Sequence, residues 1–250
     1  LRTGEVDVIE RGELIAAAST LPVERCPLCK APVSAAVARE EPPNWVLCQA
    51  CGLIYRPRVP SPEFIQGYYA QDYRDPAYPT LHDRVIQLQR AERSIDYLKG
   101  HGVQKVRRAL DYGCASGVIL DELRAEYRCE VVGVELNDLD KKIAQGRDIR
   151  VYGTLEAAPG KFDLVILTHV IEHLTNPVEF MEEMGQRVES KGAILFEVPA
   201  PIAEGAWAPF HMTVWDPKLF PSLLIHSGWI PVDVAVINRG LSFQALGVRR

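Results

Sequence analysis

Four cysteines form two C-x-x-C pairs, Cys26 with Cys29 and Cys48 with Cys51, separated by residues 30–47. Each such turn presents two sulfurs to one ion, and Gly52 suits the tight bend after the second pair. The set therefore reads as a closed, tetrahedral, structural zinc site that supplies folding free energy to a short segment. Two disulfides or four free thiols are the alternatives, and a chain with no visible secretory signal favours the metal. Cys114 and Cys129 stand apart, the first as a small buried residue in a turn and the second at the start of a strand.

A second constellation begins at Ala109, where an apolar strand ends in Asp111 and enters a small-residue turn containing Gly113 and Gly117. A second strand, Val131-Val132-Gly133-Val134, ends in Glu135. Glycines lack a Cβ and let backbone approach a ligand closely, and an acid at the end of the next strand can accept two hydrogen bonds from a ribose diol. The pairing points to an adenosine-type cofactor. Histidine is the commonest general base near neutral pH, which draws attention to His169, His173 and His211. Glu172 precedes His173, and a hydrogen-bonded pair that fixes a loop is the plain reading there. A second metal at that pair is conceivable, but two residues do not make a site. His82, His101 and His226 read as surface or capping residues.

The elements that must position these groups follow from periodicity and punctuation. Residues 1–20 read as a lead-in, 21–60 as the zinc-binding module, 61–103 as a helical, tyrosine-rich connecting or lid segment, and 104–250 as the main domain. Ser61-Pro62 is a helix start. Tyr68, Tyr69, Tyr73 and Tyr78 follow, and Leu81, Val85, Leu88, Ala91, Ile95 and Leu98 recur at helical steps, giving an amphipathic helix over 81–99. Strands are expected at 106–111, 130–135, 148–152, 162–168 and 193–198, with helices at 117–127, 138–145, 176–189 and 216–227. Asn176-Pro177-Val178-Glu179 reads as a capping box, and Asp216-Pro217 repeats the cap-then-proline device. Segments 230–237 and 242–248 read as a hairpin, so the last strand should run antiparallel. The sum is an α/β, doubly wound, mostly parallel sheet.

Composition narrows the partners. The chain has 250 residues and a net charge of −5, which gives no broad positive field of the kind nucleic-acid binders use. A small-molecule partner is favoured over nucleic acid. No apolar run approaches the roughly 18 residues of a membrane span, and Leu14–Ala18 is too short and acid-flanked for a signal peptide. The expected location is cytoplasmic.

The runs Leu110-Asp111-Tyr112-Gly113-Cys114-Ala115-Ser116-Gly117, Val132-Gly133-Val134-Glu135, Phe162 to Pro177 with its Glu172-His173, and Gly192 to Pro199 resemble, in order, the motifs of class I S-adenosylmethionine-dependent methyltransferases. The resemblance covers roughly residues 104–250 and implies a Rossmann-like, seven-stranded sheet. The zinc knuckles followed by Tyr68-Tyr69 further resemble a bacterial subgroup associated with sugar, polysaccharide or secondary-metabolite modification. The resemblance implies that Asp111, Gly113, Ala115 and Gly117 surround the methionine part, Glu135 holds the ribose, Leu136 packs on the adenine, and Thr154 and Leu155 line its edge. It puts Thr168 and His169 on the cofactor's reactive side. It ranks His211 first as base, in the loop where this fold places acceptor contacts, with His169 and His173 after it.

Ala115 departs from the family's usual glycine, which should be tolerated if its backbone keeps a negative φ. A nicotinamide dinucleotide is the rival cofactor, but Asp111 before the turn would repel a pyrophosphate, and the G-x-G-x-x-G spacing is missing. The implied activity is methyl transfer to a small hydroxylated metabolite, sugar-like or carried on a nucleotide. A zinc-containing RNA methyltransferase, drawing on Arg56, Arg58, Lys105, Arg107 and Arg108, and a non-catalytic cofactor-binding scaffold are the alternatives.

Overall fold

The computed structural model describes residues 20–40, 42, 44–72, 79–208 and 210–250. Most of the expected lead-in, together with Tyr73 and Tyr78, lies outside the described residues. In chain order the elements are β1 (Thr20–Pro22), β2 (Ala36–Ala38), β3 (Val46–Cys48), β4 (Ile54–Tyr55), β5 (Arg58–Pro60), α1 (Pro62–Gly67), a π-helical turn at Tyr68–Asp72 and α2 (Leu81–Gly100). They continue with β6 (Arg108–Tyr112), α3 (Val118–Tyr127), β7 (Glu130–Val134), α4 (Asp138–Gln145), β8 (Arg150–Tyr152), β9 (Phe162–Thr168) and α5 (Pro177–Gln186). The last are β10 (Val188–Pro199), β11 (Thr213–Val214), α6 (Phe220–His226), β12 (Trp229–Ile237) and β13 (Ser242–Arg249).

A seven-stranded sheet has the order β12-β13-β10-β9-β6-β7-β8. β6 runs parallel to both β7 and β9, and β7 parallel to β8. β12 and β13 are neighbours joined only by Asn238–Leu241, a connection too short for a parallel crossover, so they pair antiparallel as the hairpin pattern predicts. This is the Rossmann-like α/β architecture expected from the alternation of strands and helices. Among the described residues no helix is long and apolar enough to cross a membrane.

The chain divides into two compact units. One comprises Gln66–Thr168, Glu183–Phe196 and Leu246–Arg250. Its core joins Ala91, Ile95 and Leu98 of α2 to Ile119, Leu120 and Leu123 of α3 and to Ala109, Val131, Leu164 and Leu195 of the strands. Burying each of these leucines contributes roughly 1.5–3 kcal/mol before chain entropy is counted. Only the second half of α2 is buried, since Leu81, Val85 and Leu88 on the same helical stripe stay exposed. Thr80 starts that helix through a reciprocal capping box with Asp83, a signal present in the sequence as Thr-x-x-Asp.

The other unit comprises Leu1–Ile65, His169–Glu182 and Glu197–Ala245. Here a small antiparallel sheet has the order β11-β4-β3-β2. The cysteine-rich segment thus borrows its fourth strand from Thr213–Val214, which begins two residues after His211, and Thr213 pairs with Tyr55. Trp45, Ala206 and Val214 form its apolar cluster, with Trp207 set edge-on to Trp45 at 5.5 Å.

Three boundaries differ from those expected by three residues or more. α5 ends at Gln186 and β10 already begins at Val188, because Glu189, Ser190 and Lys191 make a polar strand start that hides the β pattern. α6 begins at Phe220 instead of 216. Asp216 Oδ1 accepts from the Lys218 backbone N–H at 2.8 Å, which makes a local turn, and the proline within the first helical turn is Pro221. Ser61 does cap α1, accepting from the Phe64 N–H at 3.3 Å.

Candidate functional site

The turn after β6 is stitched to the end of β7. The Gly113 and Cys114 N–H groups both donate to the Val134 carbonyl, at 2.8 and 3.1 Å. Glu135 then holds the turn from the other side, one carboxylate oxygen accepting from Ala115 N–H at 2.9 Å and the other from Asn137 N–H at 2.8 Å. Ala115 has φ +45°, so the negative φ under which its methyl group was to be tolerated is not the one adopted. A left-handed alanine costs about 1 kcal/mol, and the charged hydrogen bond from its N–H to Glu135 is what offsets the strain.

Gly117, with φ +78°, begins α3, and a Cβ there would stand 2.6 Å from Ile149 Cδ1 and 3.0 Å from Ala144 Cβ. Gly117→Ala is therefore expected to destabilise the protein by about 2–3 kcal/mol through overpacking plus left-handed strain, read as a lowered midpoint in urea.

Asp111 is 1% exposed, and neither carboxylate oxygen has a hydrogen-bond partner among the described residues. Burial pushes its pKa well above the usual carboxylate range, and the nearby charge of Glu135 pushes it further. A ligand cation is the natural remedy for both effects.

Two residues that sequence reasoning missed complete the cradle. Asn137 is buried, caps α4 through Oδ1, and donates from Nδ2 to the carbonyls of Tyr69 and Ala70 at 3.2 and 3.3 Å. It ties the tyrosine segment to the loop that carries Glu135. Its position just before Asp138 is a helix N-cap signature legible in the sequence. Ser116 donates its hydroxyl to Gln87 of α2 at 3.0 Å, a long-range contact that no local pattern announces. Of the other expected cofactor residues, Leu136 is half-buried, Leu155 is buried, and Thr168 is half-buried at the end of β9. Thr154 is exposed, and its hydroxyl accepts from the Ala157 N–H at 3.4 Å.

The four cysteines of the sequence motif converge. Cys26 and Cys51 sulfurs lie 3.6 Å apart, as do those of Cys29 and Cys48. Sulfurs on one tetrahedral zinc stand about 3.8 Å apart given Zn–S bonds of about 2.3 Å, whereas a disulfide needs about 2.05 Å. Each pair comprises one sulfur from each C-x-x-C turn, and the turns are equivalent. Lys30 N–H donates to the Cys26 carbonyl and Gly52 N–H to that of Cys48, with φ of +61° and +83°. Lys30 takes the place that glycine fills in the second turn. Burial pushes the Cys26 thiol up to about 11, so a cation is what would make a thiolate of it.

A third cluster gathers the histidines around buried carboxylates. His169 follows β9 with φ +54°, and its N–H donates to the Glu197 carbonyl at 2.9 Å. Its ring lies between Glu172 and Glu197, with Nδ1 3.4 Å from the first and Nε2 3.6 Å from the second, both acids 1% exposed. Burial opposes the charge on Glu172, but the imidazoles of His169, His173 and His211 outweigh it and bring its pKa to about 2. Burial pushes His173 downward and His211 down to about 4, so both rings are neutral at pH 7. With those two neutral, the charge that balances Glu172 comes from His169 or from a bound cation.

Arg56 holds the loop bearing His211. Its Nε donates to the His211 carbonyl at 2.8 Å, and its guanidinium lies 4.4 Å over the Trp45 ring. Burial lowers its pKa to about 10, which still leaves it charged at pH 7. Lysine cannot reproduce the planar stacking and the Nε bond together, so Arg56→Lys should cost about 2 kcal/mol of stability by thermal or urea unfolding.

A family model described as a methyltransferase domain matches residues 78–221. Curated relatives include a ubiquinone biosynthesis O-methyltransferase from Neisseria meningitidis serogroup C (strain 053442), 26% identical over 131 residues that cover 48% of this chain and 52% of the relative. Another is an ajmaline N-methyltransferase from Rauvolfia serpentina, 31% identical over 104 residues, 37% of this chain and 35% of the relative. The chain spans about half the length of the first of these relatives. Among solved structures, an S-adenosylmethionine-dependent methyltransferase from Archaeoglobus fulgidus aligns with TM-score 0.56 at 20% identity, covering 66% of this chain and 94% of that one. Magnesium protoporphyrin IX methyltransferase from Synechocystis PCC 6803, with bound S-adenosylhomocysteine, aligns with TM-score 0.56 at 15% identity, covering 76% of this chain and 100% of that one. At these identities the structural likeness establishes the fold.

Proposed function

The chain belongs to the methyltransferase family whose domain model matches residues 78–221, and from that premise we propose that it transfers a methyl group from S-adenosylmethionine to a hydroxyl of a small, sugar-like or otherwise hydroxylated metabolite. The observation that carries this reading is the acid pair of the cradle. Asp111 is buried without a hydrogen-bond partner among the described residues, and Glu135 is anchored at the turn by the Ala115 and Asn137 N–H groups. Asp111 suits the cationic methionine portion, Glu135 the ribose hydroxyls, and Leu136 and Leu155 the adenine. Gly113, Ala115 and Gly117 bring backbone, in place of side chains, to the ligand.

The cofactor supplies an electrophilic methyl on sulfur, so the chain's own task is to orient the acceptor, exclude water and receive a proton. His211 is a weak base because burial holds it neutral to about pH 4, and its Nδ1 is bound to the Ala206 carbonyl. His169 fits the role better. It is partly exposed, directly follows β9, and has two buried carboxylates to stabilise the protonated ring. His169→Ala is expected to lower kcat by about 10²–10⁴-fold while the affinity for S-adenosylhomocysteine stays within a factor of a few. Transfer of labelled methyl to a panel of sugars, nucleotide sugars and phenolic acceptors tests both the acceptor class and this residue. Unchanged kcat in the variant would remove the base assignment.

The cysteine cluster we assign to structural zinc, on the sulfur spacing and the matching turns. Nucleic acid is a poorer substrate class for this surface. Arg56 is half-buried against Trp45, Arg107 pairs with Asp163 at 2.9 Å, and Arg108 pairs with Glu130 at 3.2 Å, so three of the cations that could have formed a basic patch are engaged.

A further inference from the structure

We propose that Glu172, His173 and His211 form a second metal site, which takes a divalent first-row transition-metal ion. One ligand atom from each of these side chains lies within 4.8 Å of the other two. Ligand atoms on a single ion of this class stand about 3–4 Å apart, from metal–nitrogen bonds of about 2.1 Å, so the set closes with small side-chain movements. The three residues come from two segments that are fastened to each other. Met212 N–H donates to the Glu172 carbonyl at 2.7 Å, and the Thr213 hydroxyl reaches the same carbonyl at 3.5 Å.

The hydrogen bonds behind the ligands fix which nitrogen faces an ion. His173 Nδ1 lies 3.0 Å from the Phe210 carbonyl and His211 Nδ1 3.0 Å from the Ala206 carbonyl. A carbonyl only accepts, so each Nδ1 carries the proton and each Nε2 carries the lone pair. A backbone carbonyl behind the far nitrogen is the arrangement that orients metal-ligating histidines. Glu172 is 1% exposed, neither oxygen has a hydrogen-bond partner among the described residues, and His169 Nδ1 stands 3.4 Å from its Oε1. A buried carboxylate in that condition is costly, and direct ligation would remove the cost. His169 in turn bridges Glu172 to Glu197 from a left-handed backbone, strain of the sort that persists where surroundings fix a functional geometry.

Two imidazoles and one carboxylate suit zinc, iron, cobalt or nickel in the divalent state and suit magnesium or calcium poorly. Three protein ligands leave coordination positions open, unlike the closed set of four thiolates, so an oxygen donor of a substrate could bind there.

The test is metal counting on the full-length protein, stripped with a chelator and reloaded with Co²⁺, alongside Glu172→Gln and His211→Gln, each checked for fold by circular dichroism. Each variant is expected to hold one equivalent fewer than the wild type. The lost absorbance should consist of weak d–d bands without sulfur-to-cobalt charge transfer, since no thiolate is involved. Equal metal content in wild type and both variants overturns the proposal. So does a loss that carries the charge-transfer band, because the ion would then have left the cysteines.

Discussion

Replacing Glu135 with alanine should weaken binding of S-adenosylhomocysteine by at least about 100-fold, or about 2.7 kcal/mol. The carboxylate has two duties that fall together. Its oxygens hold Ala115 N–H and Asn137 N–H, and those bonds fix a turn in which alanine sits at φ +45°. Without them the strain at Ala115 has no offset and two backbone donors lose their partner, each bond to a charged group being worth about 1.5–3 kcal/mol. The ribose hydroxyls lose their acceptor as well. Glu135→Gln should fall between the variant and the wild type, since an amide keeps one acceptor oxygen but turns an NH₂ toward a backbone donor. Calorimetry on the three proteins orders them directly, and an affinity for Glu135→Ala within threefold of wild type would sink the role given to this residue.

The second large effect concerns the cysteines. Cys48→Ser, or treatment of the wild type with a strong zinc chelator, should unfold the small sheet β11-β4-β3-β2. Trp45, Ala206 and Val214 form an apolar cluster there and Leu53 and Tyr55 are also buried, yet so short a segment buries too little surface to hold the strands alone. Structural zinc contributes about 10–16 kcal/mol of apparent binding free energy in small zinc modules, far more than this cluster can replace. Trp45 and Trp207 pack against each other there, so tryptophan fluorescence should shift to the red as metal leaves. The loss should reach His211, whose loop ends in β11 and whose carbonyl is held by Arg56. A chelated protein with an unaltered emission spectrum and melting curve would show that the cysteines hold no structural ion.

Much of this was legible in the chain because local physics and tertiary demand agree. Strands ending in Asp111 and Glu135, the glycine turn and the paired C-x-x-C motifs each follow from short-range pattern, and the structure brings each set together. What escaped reading came from long-range partners. Nothing near Ser116 announces Gln87, and nothing near Cys48 announces that Thr213–Val214 will complete its sheet. His211 looked like a base because only its type and loop were visible. Its burial and its carbonyl-bound Nδ1 appear only once Ala206, Ala208 and His211 are folded against Arg56 and His173. The pair Glu172-His173 read as a loop fastener for want of a third ligand, and that ligand lies in a different segment of the chain. At Ala115 the condition of a negative φ is not met, and its N–H is held by Glu135, twenty residues on, which no local pattern announces.

The most direct measurement is calorimetric titration of the purified protein with S-adenosylhomocysteine, S-adenosylmethionine and NAD⁺ across a pH series, in buffers of different ionisation enthalpy. Burial raises the pKa of Asp111, and a cation bound beside it would lower that pKa, so binding must release protons in the range where the free carboxyl is still protonated. Affinity should therefore fall as pH drops through the raised pKa of the unliganded protein, and Asp111→Asn should flatten that dependence. Saturable binding of both adenosyl ligands with proton release, and no binding of the dinucleotide, is the expected result. Absence of heat with either adenosyl ligand in folded, zinc-loaded protein, or tighter binding of NAD⁺, would contradict it.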